Sequence, residues 1–305
     1  MFAADHSFSE IAHSLGLRIN AALEARLNFD AGCPTRLREA MHYCLLSPGK
    51  RFRPILALLA AEACGGTMES ALPAACALEM VHAYSLIHDD LPALDNDDLR
   101  RGRPTCHKAF DEATAILAGD ALLTLAFEVI AGEVRPPEVA AACCAVLAKA
   151  AGACNMVGGQ MDDLLTERRG WRNVLDADAA QELLRSIHRR KTGMLICAAL
   201  RLGGLAAGAD EEQLAALEGY GRAVGLAFQI TDDLLDVAGT AEEVGKAVGK
   251  DAGRGKLTFP AVFGIDRSRQ YVQELLVEAE NHLARFGERR EKLRMVARFL
   301  RDRNR

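Results

Sequence analysis

Glu79-Met-Val-His-Ala-Tyr-Ser-Leu-Ile-His-Asp-Asp90 is the stretch whose reading decides the fold. Wound as a helix it is apolar on nearly every side, and it stops at two carboxylates. A helix apolar all round belongs at the centre of a larger helical body. A second stretch, Gly221-Arg-Ala-Val-Gly-Leu-Ala-Phe-Gln-Ile-Thr-Asp-Asp233, repeats the pattern. Outward from these two, helical periodicity covers 5–29, 34–46, 52–64, 69–91, 108–131, 136–151, 154–168, 176–203, 211–237, 258–264, 268–285 and 289–302. Alternating strand patterns are nearly absent, and aromatic residues make up only 5% of the chain. The reading is all-α, with residues 1–305 forming one domain.

Composition removes several classes. A net charge of −5 carries no basic excess for nucleic acid. The nine cysteines are scattered without a C-x-x-C pair, which argues against zinc and against a disulfide framework. Reduced core thiols in a cytoplasmic protein are the expectation. The apolar run from Ala113 to Ala131 is broken by Asp120 and Glu128, so no membrane span is expected.

The chemistry lies in the two acidic ends. Asp232 and Asp236 are four apart and share a helix face, where like charges repel. Asp89 and Asp95 are six apart, about 240° round an ideal helix. Pro92 between them should end the helix and let Asp95 turn back toward Asp89. Carboxylates at the rim of a core need compensation, and a hard divalent cation supplies it. An EF-hand is excluded, because Asp95 to Leu99 offers no glycine at the sixth loop position.

Cations follow the acids. Gly49-Lys50-Arg51-Phe52-Arg53-Pro54 precedes an apolar helix, and Arg100-Arg101-Gly102-Arg103 follows the first cluster. His188-Arg189-Arg190-Lys191-Thr192-Gly193 lies mid-chain, and Lys246, Lys250 and Lys256 follow the second cluster. Each group alone reads as solvated surface. Their alternation with the acids fits a site for a metal–diphosphate complex. The glycines near Lys256 lack the spacing of a nucleotide-binding P-loop. His82, Gln160 and Gln229 are polar groups in apolar helices, readable either as core or as ligand contacts.

Taken together these residues resemble the trans-prenyltransferases, the short-chain polyprenyl diphosphate synthases. The resemblance rests on Gly49-Lys-Arg-x-Arg-Pro54, on Asp89 to Asp95 with Arg100-Arg101-Gly102, and on Gly159-Gln160-x-x-Asp163. It continues through Lys191-Thr192-Gly193, Gln229-x-x-Asp232-Asp233-x-x-Asp236 and Gly255-Lys256-x-Thr258-x-Pro260. The four residues separating Asp90 from Asp95 look like bacterial farnesyl diphosphate synthase, although plant-type geranylgeranyl enzymes share them. The resemblance implies the isoprenoid-synthase fold, a single helical bundle around a deep central cavity, together with a homodimer and three Mg²⁺ per site, with Mn²⁺ as the substitute. Asp89, Asp90, Asp95, Asp232, Asp233 and Asp236 would serve the metals. Gly49, Lys50, Arg53, His82 and Arg101 would hold isopentenyl diphosphate. Arg100, Gln160, Lys191, Thr192, Gln229, Lys246 and Lys256 would hold the allylic diphosphate. Tyr84, about 7.5 Å down the helix from Asp89, would stop the growing chain with Ser85 beside it, giving fifteen carbons. The alternatives are a twenty-carbon product, a terpene cyclase, a head-to-head synthase, or a non-catalytic subunit of a heterodimer.

Overall fold

The computed structural model describes residues 8–29, 32–171, 176–238 and 256–302, and these are helical almost throughout. The helices are α1 (Phe8–Arg26), α2 (Thr35–Leu45), α3 (Phe52–Ala63), α4 (Met68–Asp89), α5 (Cys106–Ala109), α6 (Glu112–Glu133), α7 (Pro137–Ala151) and α8 (Met156–Arg169). There follow α9 (Ala177–His188), a π-helical turn (Arg189–Gly193), α10 (Met194–Ala206), α11 (Glu211–Ala238), α12 (Phe259–Phe263), α13 (Ile265–His282) and α14 (Glu291–Asp302). The expected all-α class holds.

Burial explains the layout. In α3 the run Pro54–Ala61 is wholly buried, and α4 buries residues on every side from Ala71 to Ile87, with Met80 fully enclosed. These two apolar helices pack on each other, with α6 along α4 and α10 along α3. The second marker helix, α11, lies against α10 and α13 and buries Tyr220, Val224, Ala227 and Ile230. Phe52 of α3 stacks on Phe228 of α11 at 4.9 Å, tying the two halves together near their acidic ends.

Three departures from the sequence reading have local causes. The expected helix 108–131 is two helices: Asp111 breaks away and its carboxylate accepts the Thr114 N–H at 2.7 Å, capping α6. The expected helix 176–203 is interrupted by the π turn. Such a turn inserts one extra residue into the ladder and is found at functional sites. A two-stranded hairpin, Leu99–Arg100 with Arg103–Pro104, escapes an alternation search because it is too short. Its turn residues Arg101 (φ 54°) and Gly102 (φ 74°) are both left-handed, as tight hairpins require.

Three stretches reach spanning length and hydropathy, namely Met68–Asp89, Glu112–Glu133 and Pro137–Arg169. The expectation of none counted only unbroken apolar runs. In the first, 67% of the apolar window is buried against the protein itself.

Candidate active site

The first acidic wall forms as Pro92 demands. α4 ends at Asp89, and the chain turns back so that the Asp95 N–H donates to the Asp89 carbonyl at 2.8 Å. Asp89 and Asp95 are therefore neighbours, and both are half-buried. Burial, together with the charges of Asp95 and Asp90, pushes the Asp89 carboxyl up to about 6 against the pull of Lys191 and Arg100. Asp90 points elsewhere. It is buried, and both its oxygens accept from Arg100 Nε and Nη2 at 2.6–2.8 Å. The hairpin carries Arg100 back over α4, and Asp90 fixes its guanidinium as a fork.

The next residues around the hairpin build a cationic wall. Arg101 Nη1 donates to the Pro48 carbonyl at 2.8 Å and lies across Gly49. A Cβ on Gly49 would fall 2.4 Å from that nitrogen, so any larger residue there would push the guanidinium aside. Arg53 Nη1 is 3.4 Å from His82 Nε2. Burial, then the charge of Arg53, holds His82 well below the usual imidazole range, so the ring is neutral. Arg51 was not among the expected binders, and its geometry shows why. It is buried and spans Asn20, Glu79 and Ser47, anchoring the loop that presents Lys50 and Arg53.

The opposite wall comes from α8, the π turn and α11. Gly159 of α8 touches the π turn: a Cβ there would lie 2.5 Å from the Lys191 nitrogen. The closeness lets Lys191 Nζ reach Asp163 at 2.7 Å, while Arg190 pairs with Asp162. Asp163 quotes the motif Gly159-Gln160-x-x-Asp163 but was not assigned a role from sequence. Burial pushes its carboxyl up, but Lys191 and Lys256 outweigh that and hold it below the usual range. Lys256 thus joins Lys191 at this corner. Asp232 stands near enough to Arg53 to raise its affinity for a proton, against the larger lowering by burial. Asp233 and Asp236 are buried beside it, at 5% and 2% exposure. Lys246, Lys250 and Gly255 lie outside the described residues.

Between α4, α8 and the π turn is a cavity of about 320 Å³. It is lined by Arg53, His82, Tyr84, Ser85, Asp89, Gln160, Lys191 and Thr192, bringing together expected residues from four separate stretches. Tyr84 is only 7% exposed, and its ring meets His88 edge-on at 5.8 Å. A small adjoining cavity is shared by His82, Asp90, Arg100 and Arg101. A larger groove of about 870 Å³ between α7, α9, α10 and α11 contains none of the expected site residues.

The donors fit an anion carried with hard cations. Gln160 Oε1 and Arg53 Nε are buried at this cavity without a hydrogen-bond partner. Clustered carboxylates beside Lys and Arg suit Mg²⁺ or Mn²⁺ bridging to phosphate oxygens. Among the described residues no three His, Cys, Asp or Glu side chains close round one point, so such an ion would complete its shell from diphosphate and water.

An all-helical body with two aspartate clusters facing diphosphate-sized cation sets is that of an isoprenoid synthase. A family model described as polyprenyl synthetase matches residues 34–295, and the chain belongs to that family. It is 47% identical over 274 residues to a dimethylallyltranstransferase of Fischerella ambigua, covering 89% of this chain and 77% of that one. It is 43% identical over 289 residues to a chloroplastic geranylgeranyl pyrophosphate synthase of Catharanthus roseus, covering 93% and 78%. An apo FPP/GFPP synthase structure from Zymomonas mobilis superposes with a TM-score of 0.83 at 36% identity, covering 96% of this chain and 98% of that one. A geranyltransferase from Legionella pneumophila gives 0.83 at 38% identity, covering 97% of each chain. The protein is a prenyltransferase of isoprenoid biosynthesis.

Proposed function

We propose that the chain condenses isopentenyl diphosphate head-to-tail with dimethylallyl and then geranyl diphosphate, in a Mg²⁺-dependent reaction ending at farnesyl diphosphate. The observation that carries this reading is one cavity lined at once by Asp89, Lys191 and the buried ring of Tyr84. Bound Mg²⁺ would neutralise charge on the departing diphosphate and so favour ionisation of the allylic C–O bond. Lys191, oriented by Asp163, and Arg100, oriented by Asp90, add fixed positive charge to that leaving group. Arg53, neutral His82 and Arg101 hold the second diphosphate and so keep its double bond against the allylic cation. The isopentenyl double bond supplies the electron pair of the new C–C bond. The positive charge passes to the tertiary carbon, and loss of a proton to the released diphosphate restores a double bond. Leu164 and Leu195 in the lining help exclude the water that would quench the cation.

A twenty-carbon product is the second reading. It is favoured by the geranylgeranyl relatives and by Val157 and Met161, which edge the same cavity yet are 49% and 54% exposed. The test is product analysis with Mg²⁺, isopentenyl diphosphate and dimethylallyl diphosphate. Fifteen carbons from the wild type and longer products from Tyr84→Ala are expected. Twenty carbons from the wild type would keep the chemistry and discard the Tyr84 stop, and no condensation at all would sink the reading. We also propose a homodimer, supported by apolar side chains exposed on α6 and α8 (Ile116, Leu117, Met161 and Leu165). Light scattering at the 32.9 kDa of one chain would refute it.

A further inference from the structure

We propose that Asp233 is a positioning residue rather than a metal ligand: its carboxylate ties together the three segments that carry Asp232, Lys191 and Lys256. The sequence pattern alone makes Asp233 a ligand like its neighbours. Its geometry differs. Asp233 Oδ2 accepts the backbone N–H of Phe259 at 3.0 Å, at the start of α12 and three residues beyond Lys256. Asp233 Oδ1 accepts from Gln229 Nε2 at 3.1 Å, one turn back on α11. Gln229 Oε1 in turn accepts from Thr192 Oγ1 at 2.9 Å, next to Lys191 in the π turn. His188 Nε2 stands 3.6 Å from Oδ2, and its ring stacks on Phe259 at 5.5 Å.

The two ends and the middle of this chain are secluded, while Gln229 is half-buried. Asp233 is 5% exposed, His188 7%, Thr192 9% and Phe259 fully buried. Phe259 N is one of the donors that a helix start leaves without an internal acceptor, and the Asp233 carboxylate supplies one. A buried carboxylate whose two oxygens accept N–H donors is satisfied by the protein. The tie bridges residues 192, 229, 233 and 259, so no one segment can move without breaking one of its hydrogen bonds, of which the Phe259 N–H to Asp233 bond is buried. Only its catalytic consequence rests on the prenyltransferase reading; the tie itself is geometric.

Two substitutions separate the roles. Asparagine at 233 retains an oxygen for the Phe259 N–H, and the Gln229 amide can turn over to accept from the asparagine Nδ2 and donate to the Thr192 hydroxyl oxygen, which keeps the links of the tie. A metal ligand would not survive the same change. Amide hydrogen exchange at Phe259 and the Mg²⁺ concentration for half-maximal condensation are read for the wild type, Asp233→Asn, Asp233→Ala and Asp232→Asn. Without ligand, Asp233→Ala should speed exchange at Phe259 by about tenfold or more, and Asp233→Asn by less than about threefold. Asp232→Asn should leave that exchange unchanged and raise the Mg²⁺ requirement by about tenfold or more, while Asp233→Asn keeps the wild-type requirement. If Asp233→Ala does not fold, the two asparagine variants carry the decision. Unchanged Phe259 exchange in Asp233→Ala, or a Mg²⁺ requirement in Asp233→Asn matching that of Asp232→Asn, overturns the proposal. A wild type that condenses nothing counts against the functional reading alone, and the exchange result then decides the tie.

Discussion

The two acidic clusters begin from one pattern, an apolar helix closing on Asp-Asp, and are completed by opposite means. The first is closed locally. α4 ends at Asp89, Asp95 folds back within six residues, and Asp90 takes Arg100 from the hairpin ten residues on. The second is closed at a distance. α11 runs on past Asp232 to Ala238, and Asp233 reaches forward 26 residues to Phe259 and back through Gln229 to Thr192. Each cluster uses its second aspartate to fix a cationic segment and leaves the first half-buried, with Asp89 lining the cavity. A shared sequence pattern therefore does not give its members one role.

The largest expected effect tests what the clusters still have in common. Asp89→Ala and Asp232→Ala should each lower turnover by about a thousandfold, the scale of losing one preorganised electrostatic stabiliser. Binding of the allylic diphosphate should fall far less, since the Arg and Lys side chains remain. Radiolabelled isopentenyl incorporation and ligand titration would measure both. Near-normal turnover in either variant would break the pairing of the two walls.

Local and distant closure also account for what could be read in advance. Pro92 announced the return of Asp95, because a proline acts on its own neighbours. The all-helical class and most helix ends followed from periodicity and from Gly, Pro and Asp breaks. The π turn did not, because nothing between His188 and Gly193 breaks a helix. It exists where α8 approaches at Gly159, a tertiary demand. The hairpin left only its Arg101-Gly102 turn as a signal. Arg53 and Lys191 stood out because acids and bases alternate along the chain, whereas Gly49, His82 and Gln160 were assigned to the site only through the resemblance to the prenyl diphosphate synthases. The separate duty of Asp233 was not, because its partners are Phe259 and Gln229, and hydrogen bonds to a backbone N–H leave no residue signature.

Two glycines sharpen the contrast at intermediate size. Gly102 has φ 74° and open space around it, so Gly102→Ala carries only a backbone penalty of about 1 kcal/mol within the hairpin. Gly159 is helical, but an added Cβ would press on the Lys191 backbone at 2.5 Å, and overpacking of that kind costs about 1–3 kcal/mol. Urea unfolding should rank Gly159→Ala as the less stable variant. Its allylic KM should rise as Lys191 is displaced, while Gly102→Ala should act through the hairpin arginines Arg100 and Arg101. Equal stability for the two would mean that α8 and the π turn can separate freely.

The smallest effect concerns the cost of keeping an unsatisfied acid. Burial and its acidic neighbours hold the Asp89 carboxyl up at about 6, against 3.8 for an ordinary aspartate. Between about pH 4 and pH 6 the folded protein therefore keeps a proton that the unfolded chain has released. Stability from this group must fall as pH rises through that window, and the deficit is complete above it. Asp89→Asn cannot ionise, so in metal-free protein its Tm should gain on the wild type from pH 4 to pH 6 and lie a few degrees above it at pH 7. Mg²⁺ with a diphosphate ligand should erase the wild-type deficit, since cations then offset the charge. Asp233 differs in its geometry, since its carboxylate accepts the Phe259 N–H and the Gln229 amide. Parallel Tm curves for Asp89→Asn and the wild type across this range would put the two acidic clusters on the same electrostatic footing after all.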